Sequence, residues 1–87
     1  MKLMFVIVRD SDDGAVIEKL VNKGHRVTRI ASTGGFLRRG KVTLMIGVEA
    51  EQVQPVIDLL REACAPPDNL EHQATIFVVD APYFEQI

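Results

Sequence analysis

Four short apolar runs alternate with two amphipathic stretches along this chain. Lys2 to Arg9 (KLMFVIVR) is almost continuously apolar and of strand length. That predicts a strand buried on both faces, or close to it. Asp10, Ser11, Asp12 and Asp13 then offer N-cap side chains, and their charges favour a helix N-terminus. The helix predicted from about Asp13 to Lys23 carries Ile17, Leu20 and Val21 as its apolar stripe. Gly24 sits where a left-handed residue ends a helix. His25 to Ser32 (HRVTRIAS) reads as a second strand. Val27, Arg29 and Ala31 are expected on one face and Arg26, Thr28, Ile30 and Ser32 on the other. TGGFLRRGK, from Thr33 to Lys41, has three glycines and reads as a loop between strands.

Val42 to Val48 (VTLMIGV) predicts the third strand. In EAEQVQPVIDLLREAC, Val53, Val56, Ile57, Leu60 and Cys64 fall on one helical face. Pro55 is tolerable only in a first turn, where its missing N–H costs no intrahelical bond. The second helix is therefore expected to start near Gln52. Ala65-Pro66-Pro67-Asp68-Asn69 ends it, Ala74 to Asp80 (ATIFVVD) is the fourth strand, and Ala81 to Ile87 forms a tail. The order β-α-β-β-α-β predicts an α+β, ferredoxin-like architecture: an antiparallel sheet with both helices on one face. Ile17, Leu20, Val21, Val53, Val56, Ile57 and Leu60 would cover that face. The first, third and fourth strands are apolar on the other face too. Copies of the same chain are the economical cover for it.

Length and composition narrow the options. At 87 residues, positions 1–87 are expected to form one domain with a modest core of its own. The single Cys64 excludes an intramolecular disulfide framework and any multi-cysteine metal site. No apolar run approaches the ~20 residues of a membrane span, and Met1 opens no signal peptide, so a cytoplasmic protein without membrane contact is expected. The net charge of −2 averages a strong asymmetry. No acid lies between Glu18 and Glu49, while that stretch holds Lys19, Lys23, Arg26, Arg29, Arg38, Arg39 and Lys41, seven of the ten basic residues. A solvated face explains such a run, and so does an anion site. A long nucleic acid is disfavoured by the pI of about 5.6.

Several chemistries are missing. There is no Walker motif, no Gly-x-Ser-x-Gly, and no His or Cys pair at metal-ligand spacing, so neither catalysis nor a metal is expected. His25 and His72 read as surface histidines, Cys64 as a buried structural thiol, and Asp12 and Asp13 as N-caps. Arg26 to Gly47 is the informative segment. Gly34-Gly35 allows close backbone approach to a ligand. Thr28, Ser32 and Thr33 supply hydroxyls, and Arg26, Arg38, Arg39 and Lys41 supply charge. Phe36 is either a platform for a nucleobase or a plug folded onto the core.

RVTRIASTGGFLRRGKVTLMIGVE, Arg26 to Glu49, resembles the signature of the PII-like cyclic di-AMP receptor family of bacterial signalling proteins. The stretch ASTGGFLR, Ala31 to Arg38, is its most specific part, and the likeness extends to MKLMFVIVRD and ATIFVVDAPYFEQI. The resemblance implies a homotrimer of ferredoxin-like subunits without catalytic activity or cofactor, with a small nucleotide bound at subunit interfaces. By motif position, Arg26 and Thr28 would approach phosphate and base. Gly35, Phe36 and Leu37 would frame the adenine, Gly47 would leave room, and Gln86 would reach the same cleft. The chain departs from the family pattern at Lys41, where an asparagine is usual. Lysine has three donors and no acceptor, so it would hold a phosphate as a point charge. The family's long glycine-rich loop before the last strand is also reduced here to about Ala65 to Gln73. The functions implied are a receptor for cyclic di-AMP, a receptor for another nucleotide such as ATP or ADP, or a ligand-free trimer that presents residues 33–41 to a protein target.

Overall fold

A computed structural model describes residues 1–33, 40–65, 73–83 and 85–87. The elements in chain order are β1 (Lys2–Arg9), α1 (Asp13–Asn22), β2 (Val27–Thr33), β3 (Lys41–Val48), α2 (Val53–Ala63) and β4 (Ala74–Asp80). The strands form one antiparallel sheet in the order β2-β3-β1-β4, so β1 and β3 are central. This is the expected ferredoxin-like α+β arrangement.

Strand alternation divides the sheet into two faces. Met4, Val6 and Val8 of β1 and Val42, Leu44, Ile46 and Val48 of β3 are buried with Val16, Leu20, Val56 and Leu60 of the helices. On the opposite face Leu3, Phe5, Ile7 and Met45 are half-buried. On the edge strand β4, Phe77 and Val79 register against Phe5 and Leu3 and remain 55% and 44% exposed.

Helix ends follow the local chemistry. Gly24 has φ +88° and ends α1 in the left-handed region, which glycine enters without steric cost. A 3-10 turn, Ala50–Gln52, leads into α2 and places Pro55 in its first turn. The apolar stripe of α1 differs from expectation by a small rotation. Val16 and Leu20 are buried, Ile17 is half-buried, and Val21 points outward at 55% exposure. The alternation expected along the second strand also breaks. The β2–β3 register shifts between Arg29 and Ala31, a bulge that makes Ile30 an extra residue.

The expected N-caps have other partners. Asp12 precedes α1 but makes no side-chain cap. Its carboxylate accepts Arg9 Nε at 3.0 Å and pairs with Arg9 Nη2 at 2.9 Å, with only 4% and 5% of Arg9 and Asp12 exposed. Arg9 Nη2 also donates to the Ala65 carbonyl at 2.6 Å, and the Ala65 N–H donates to Asp12 Oδ1 at 3.3 Å. This cluster fastens the end of α2 to the β1–α1 turn. Asp13 instead meets Arg29 of β2 at 2.5 Å. Cys64 is buried, as expected of a structural thiol. Burial pushes its pKa up, the Asp12 charge adds to this, and Arg9 opposes it.

Removing one partner of a buried ion pair strands the other. Asp12→Ala is expected to lower stability by ~3–5 kcal/mol in urea unfolding. Removing the exposed Asp58 partner of Arg61 is expected to cost ~1 kcal/mol or less. Equal losses for the two variants would contradict the assignment.

Candidate functional site

The first residues of β1 and the tail after β4 are held side by side. Lys2 pairs with Asp80 across the β1–β4 ladder, and this partner lowers the Asp80 carboxyl pKa. One residue on, the Ala81 N–H donates to the Met1 carbonyl at 3.0 Å. At the same end of the sheet, the turn after α1 is fixed by the Gly24 and His25 N–H groups, which donate to the carbonyls of Val21 and Leu20 at 2.9 and 3.0 Å. Residues 24–28, the start of β1, the end of β3 and the tail therefore surround one cleft of about 560 Å³.

Its lining divides by chemistry. Leu3 and Met45 of the two central strands, with Met1 just before β1, supply apolar surface. Arg26 and Thr28 supply a guanidinium and a hydroxyl from the start of β2, and Tyr83 and Gln86 come from the tail. Gly47 pairs with Leu3, and a Cβ placed on it would stand 3.2 Å from Met1 Cε. Glycine there keeps that surface low. The Arg26 side chain is exposed and makes no hydrogen bond or ion pair among the described residues. A cation, a hydroxyl and an amide beside an apolar surface can hold a flat ligand that carries negative charge.

Four of the eight residues read from the sequence, Arg26, Thr28, Gly47 and Gln86, thus line one cleft. Gly35, Phe36 and Leu37 lie outside the described residues, as does His72. Lys41 is described and is not with the four. It opens β3, opposite Arg9 and Thr33, whereas Gly47 lies near the other end of that strand. The strand rise from Lys41 to Gly47 separates them by ~20 Å. Residue 40, the near end of the glycine loop, is held at the Lys41 end: Gly40 N–H donates to Asp10 Oδ2 at 3.0 Å, and Asp10 N–H to the Gly40 carbonyl at 3.0 Å. Sequence reasoning missed Tyr83 and His25 as cleft residues. The signal for Tyr83 was its place three residues before Gln86.

A second groove of about 520 Å³ runs between α1 and α2. Lys19 and Lys23 face Asp58 and Glu62 across it, and it gathers none of the eight. Among the described residues, no cluster of three or more His, Cys, Asp or Glu could hold a metal ion, and no helix is long and apolar enough to cross a membrane.

Comparison with known families identifies the kind of protein this is. The family model described as cyclic-di-AMP receptor matches residues 1–85. The chain belongs to the cyclic di-AMP receptor family. Its members are PII-like signalling receptors for a small nucleotide. Among solved structures, the chain resembles a functionally unknown protein from Pediococcus pentosaceus ATCC 25745. The TM-score is 0.80 and the identity 29%, over 99% of this chain and 96% of that one.

The open position at Gly47 can be tested by filling it. Met1 Cε is the end of a flexible side chain, so Gly47→Ala is expected to keep the wild-type melting temperature within a few degrees. Gly47→Leu is expected to fold but lose ~10-fold or more in cyclic di-AMP affinity, by circular dichroism and calorimetry, since inserted methylenes typically cost ~1–3 kcal/mol in a packed site. Unchanged affinity in Gly47→Leu would remove the cleft from ligand binding.

Proposed function

We propose that this chain is a PII-like signal receptor that binds cyclic di-AMP at the interfaces of a cytoplasmic homotrimer, without catalysis of its own. Arg26 and Thr28 hold phosphate, Gly47 and the apolar floor admit a base, and Gln86 reaches in from the tail. Gly35, Phe36, Leu37 and Lys41 complete the pocket from a neighbouring subunit.

The observation that carries this reading is the distance along β3. Lys41 and Gly47, two of the positions read from the motif, fall at opposite ends of that strand, ~20 Å apart. A second copy that brings its Lys41 end to the first copy's Gly47 end would let one site use both, which supports the assembly proposed. The apolar sheet face of Leu3, Phe5, Ile7, Phe77 and Val79 supports such an assembly, because nothing in this chain's own helices lies over it. A second reading keeps the scaffold and changes the ligand to ATP or ADP. Lys41, a point charge where the family has an amide, favours it, because a triphosphate offers more charge than a cyclic dinucleotide. A ligand-free trimer that docks a protein target is the outcome if no nucleotide binds.

Native mass spectrometry with cyclic di-AMP and ATP separates these readings. The expected result is a trimer that takes up one cyclic di-AMP per interface and melts at higher temperature with it, by mass action. Preferential uptake of ATP selects the second reading. No uptake and no thermal shift at saturating nucleotide overturn both. Arg26→Ala is expected to lower affinity ~10–100-fold with the trimer intact, the loss of one charge-assisted hydrogen-bonding group. Mixing Arg26→Ala and Phe36→Ala subunits is expected to restore a fraction of full-affinity sites. A site built within one subunit would show no such rescue.

A further inference from the structure

A cyclic dinucleotide has two bases, and each needs a surface when it leaves water. In the described cleft the apolar lining of Met1, Leu3 and Met45 is aliphatic, and Tyr83 is the one aromatic side chain on it. Tyr83 is also 77% exposed, so its ring is open to a ligand in the cleft. It is not loosely placed. Its hydroxyl donates to the Glu85 carboxylate, a bond that raises the phenol pKa, and the tail it stands on is tied to β1 through Ala81. The tail therefore brings the ring to the same cleft that Arg26 and Thr28 line.

On the strength of the proposed dinucleotide reading, we propose that Tyr83 is a base platform of this cleft, stacking on the adenine whose phosphate Arg26 holds. The aromatic face is what acts, and the hydroxyl only sets its angle through Glu85. Tyr83→Phe should then bind nearly as wild type, while Tyr83→Ala should bind ~10-fold more weakly, the scale of one base–aromatic stack. Bases that stack more strongly should gain more from the ring, so the Tyr83→Ala loss should be larger for cyclic di-AMP than for a cyclic dinucleotide of uracil.

The composition gives a direct readout. Tyr83 is the only tyrosine and there is no tryptophan, so tyrosine emission reports this one ring. Cyclic di-AMP titrated into the full chain is expected to quench that emission along the same curve as the heat of binding, with N-acetyltyrosinamide as the control for light absorbed by the nucleotide. Tyr83→Phe should keep wild-type affinity and Tyr83→Ala should lose it ~10-fold. Heat of binding with unchanged emission, or wild-type affinity in Tyr83→Ala, overturns the platform while leaving the receptor reading in place. A Tyr83→Ala chain that no longer assembles in native mass spectrometry assigns the ring to the subunit contact and also overturns it. Absence of both heat and quench in the wild-type chain overturns the receptor reading, and the platform with it.

Discussion

The register of β1 is the constraint on which the rest depends. β1 lies in the middle of the sheet, paired with β3 on one side and β4 on the other. Its odd and even residues are both apolar, yet they are not interchangeable. Met4, Val6 and Val8 meet the helices, while Leu3, Phe5 and Ile7 face away. A slip of one residue would exchange the two sets and carry Leu3 off the cleft floor. Arg9 and Asp10 pin that register from the far end. Arg9 is locked to Asp12 and Ala65, and Asp10 exchanges hydrogen bonds with Gly40. Lys2 and Asp80 do the same at the near end. One eight-residue strand thereby sets the core, the cleft and the take-off point of the glycine loop.

The elements were legible because their signals were strong and local. Two nearly continuous apolar runs, a proline confined to a first turn and a glycine after the last helical turn each have few alternative readings, and each lies where it was expected. What escaped were features set by partners far along the chain. Asp12 looks like an N-cap in sequence. It is instead a buried counter-ion, because Arg9 ends β1 at a position that turns inward and needs a carboxylate. Val21 completes a tidy i, i+4 stripe with Ile17. Val16 takes its place because α1 is rotated to put Val16 and Leu20 on the sheet. The bulge at Ile30 leaves no mark in HRVTRIAS, since β-branched residues suit both a regular strand and a bulged one.

The charge pattern separates in the same way. The acid-free run from Lys19 to Lys41 reads as one basic region in sequence, but the fold distributes it. Lys19 and Lys23 line the groove between the helices, Arg29 is neutralised by Asp13, and Lys41 sits at the far end of β3. Arg26 is the member that enters the cleft without a partner among the described residues. Net charge over a segment therefore overstates the field at any one site. The local question is which cation lacks a counter-ion beside a surface that could take a ligand.

That distribution bears on how a chain this short could bind a ligand as large as a cyclic dinucleotide. A cleft open on one side buries only part of a guest, and the Arg26 cleft has an apolar floor, one cation and a tail that stands beside it. β2 ends at Thr33, which pairs with Lys41, at the end of β3 opposite Gly47. Natural selection of one motif at both ends of a strand makes physical sense if the two ends meet between copies. Each copy then contributes a floor to one site and a cover to the next, and the sheet face left bare by the helices is the surface along which they meet. In the proposed trimer, ligand binding and assembly would draw on the same residues. A ligand that bridges two copies would stabilise the contact between them, so occupancy would be reported as a change in the stability of the oligomer.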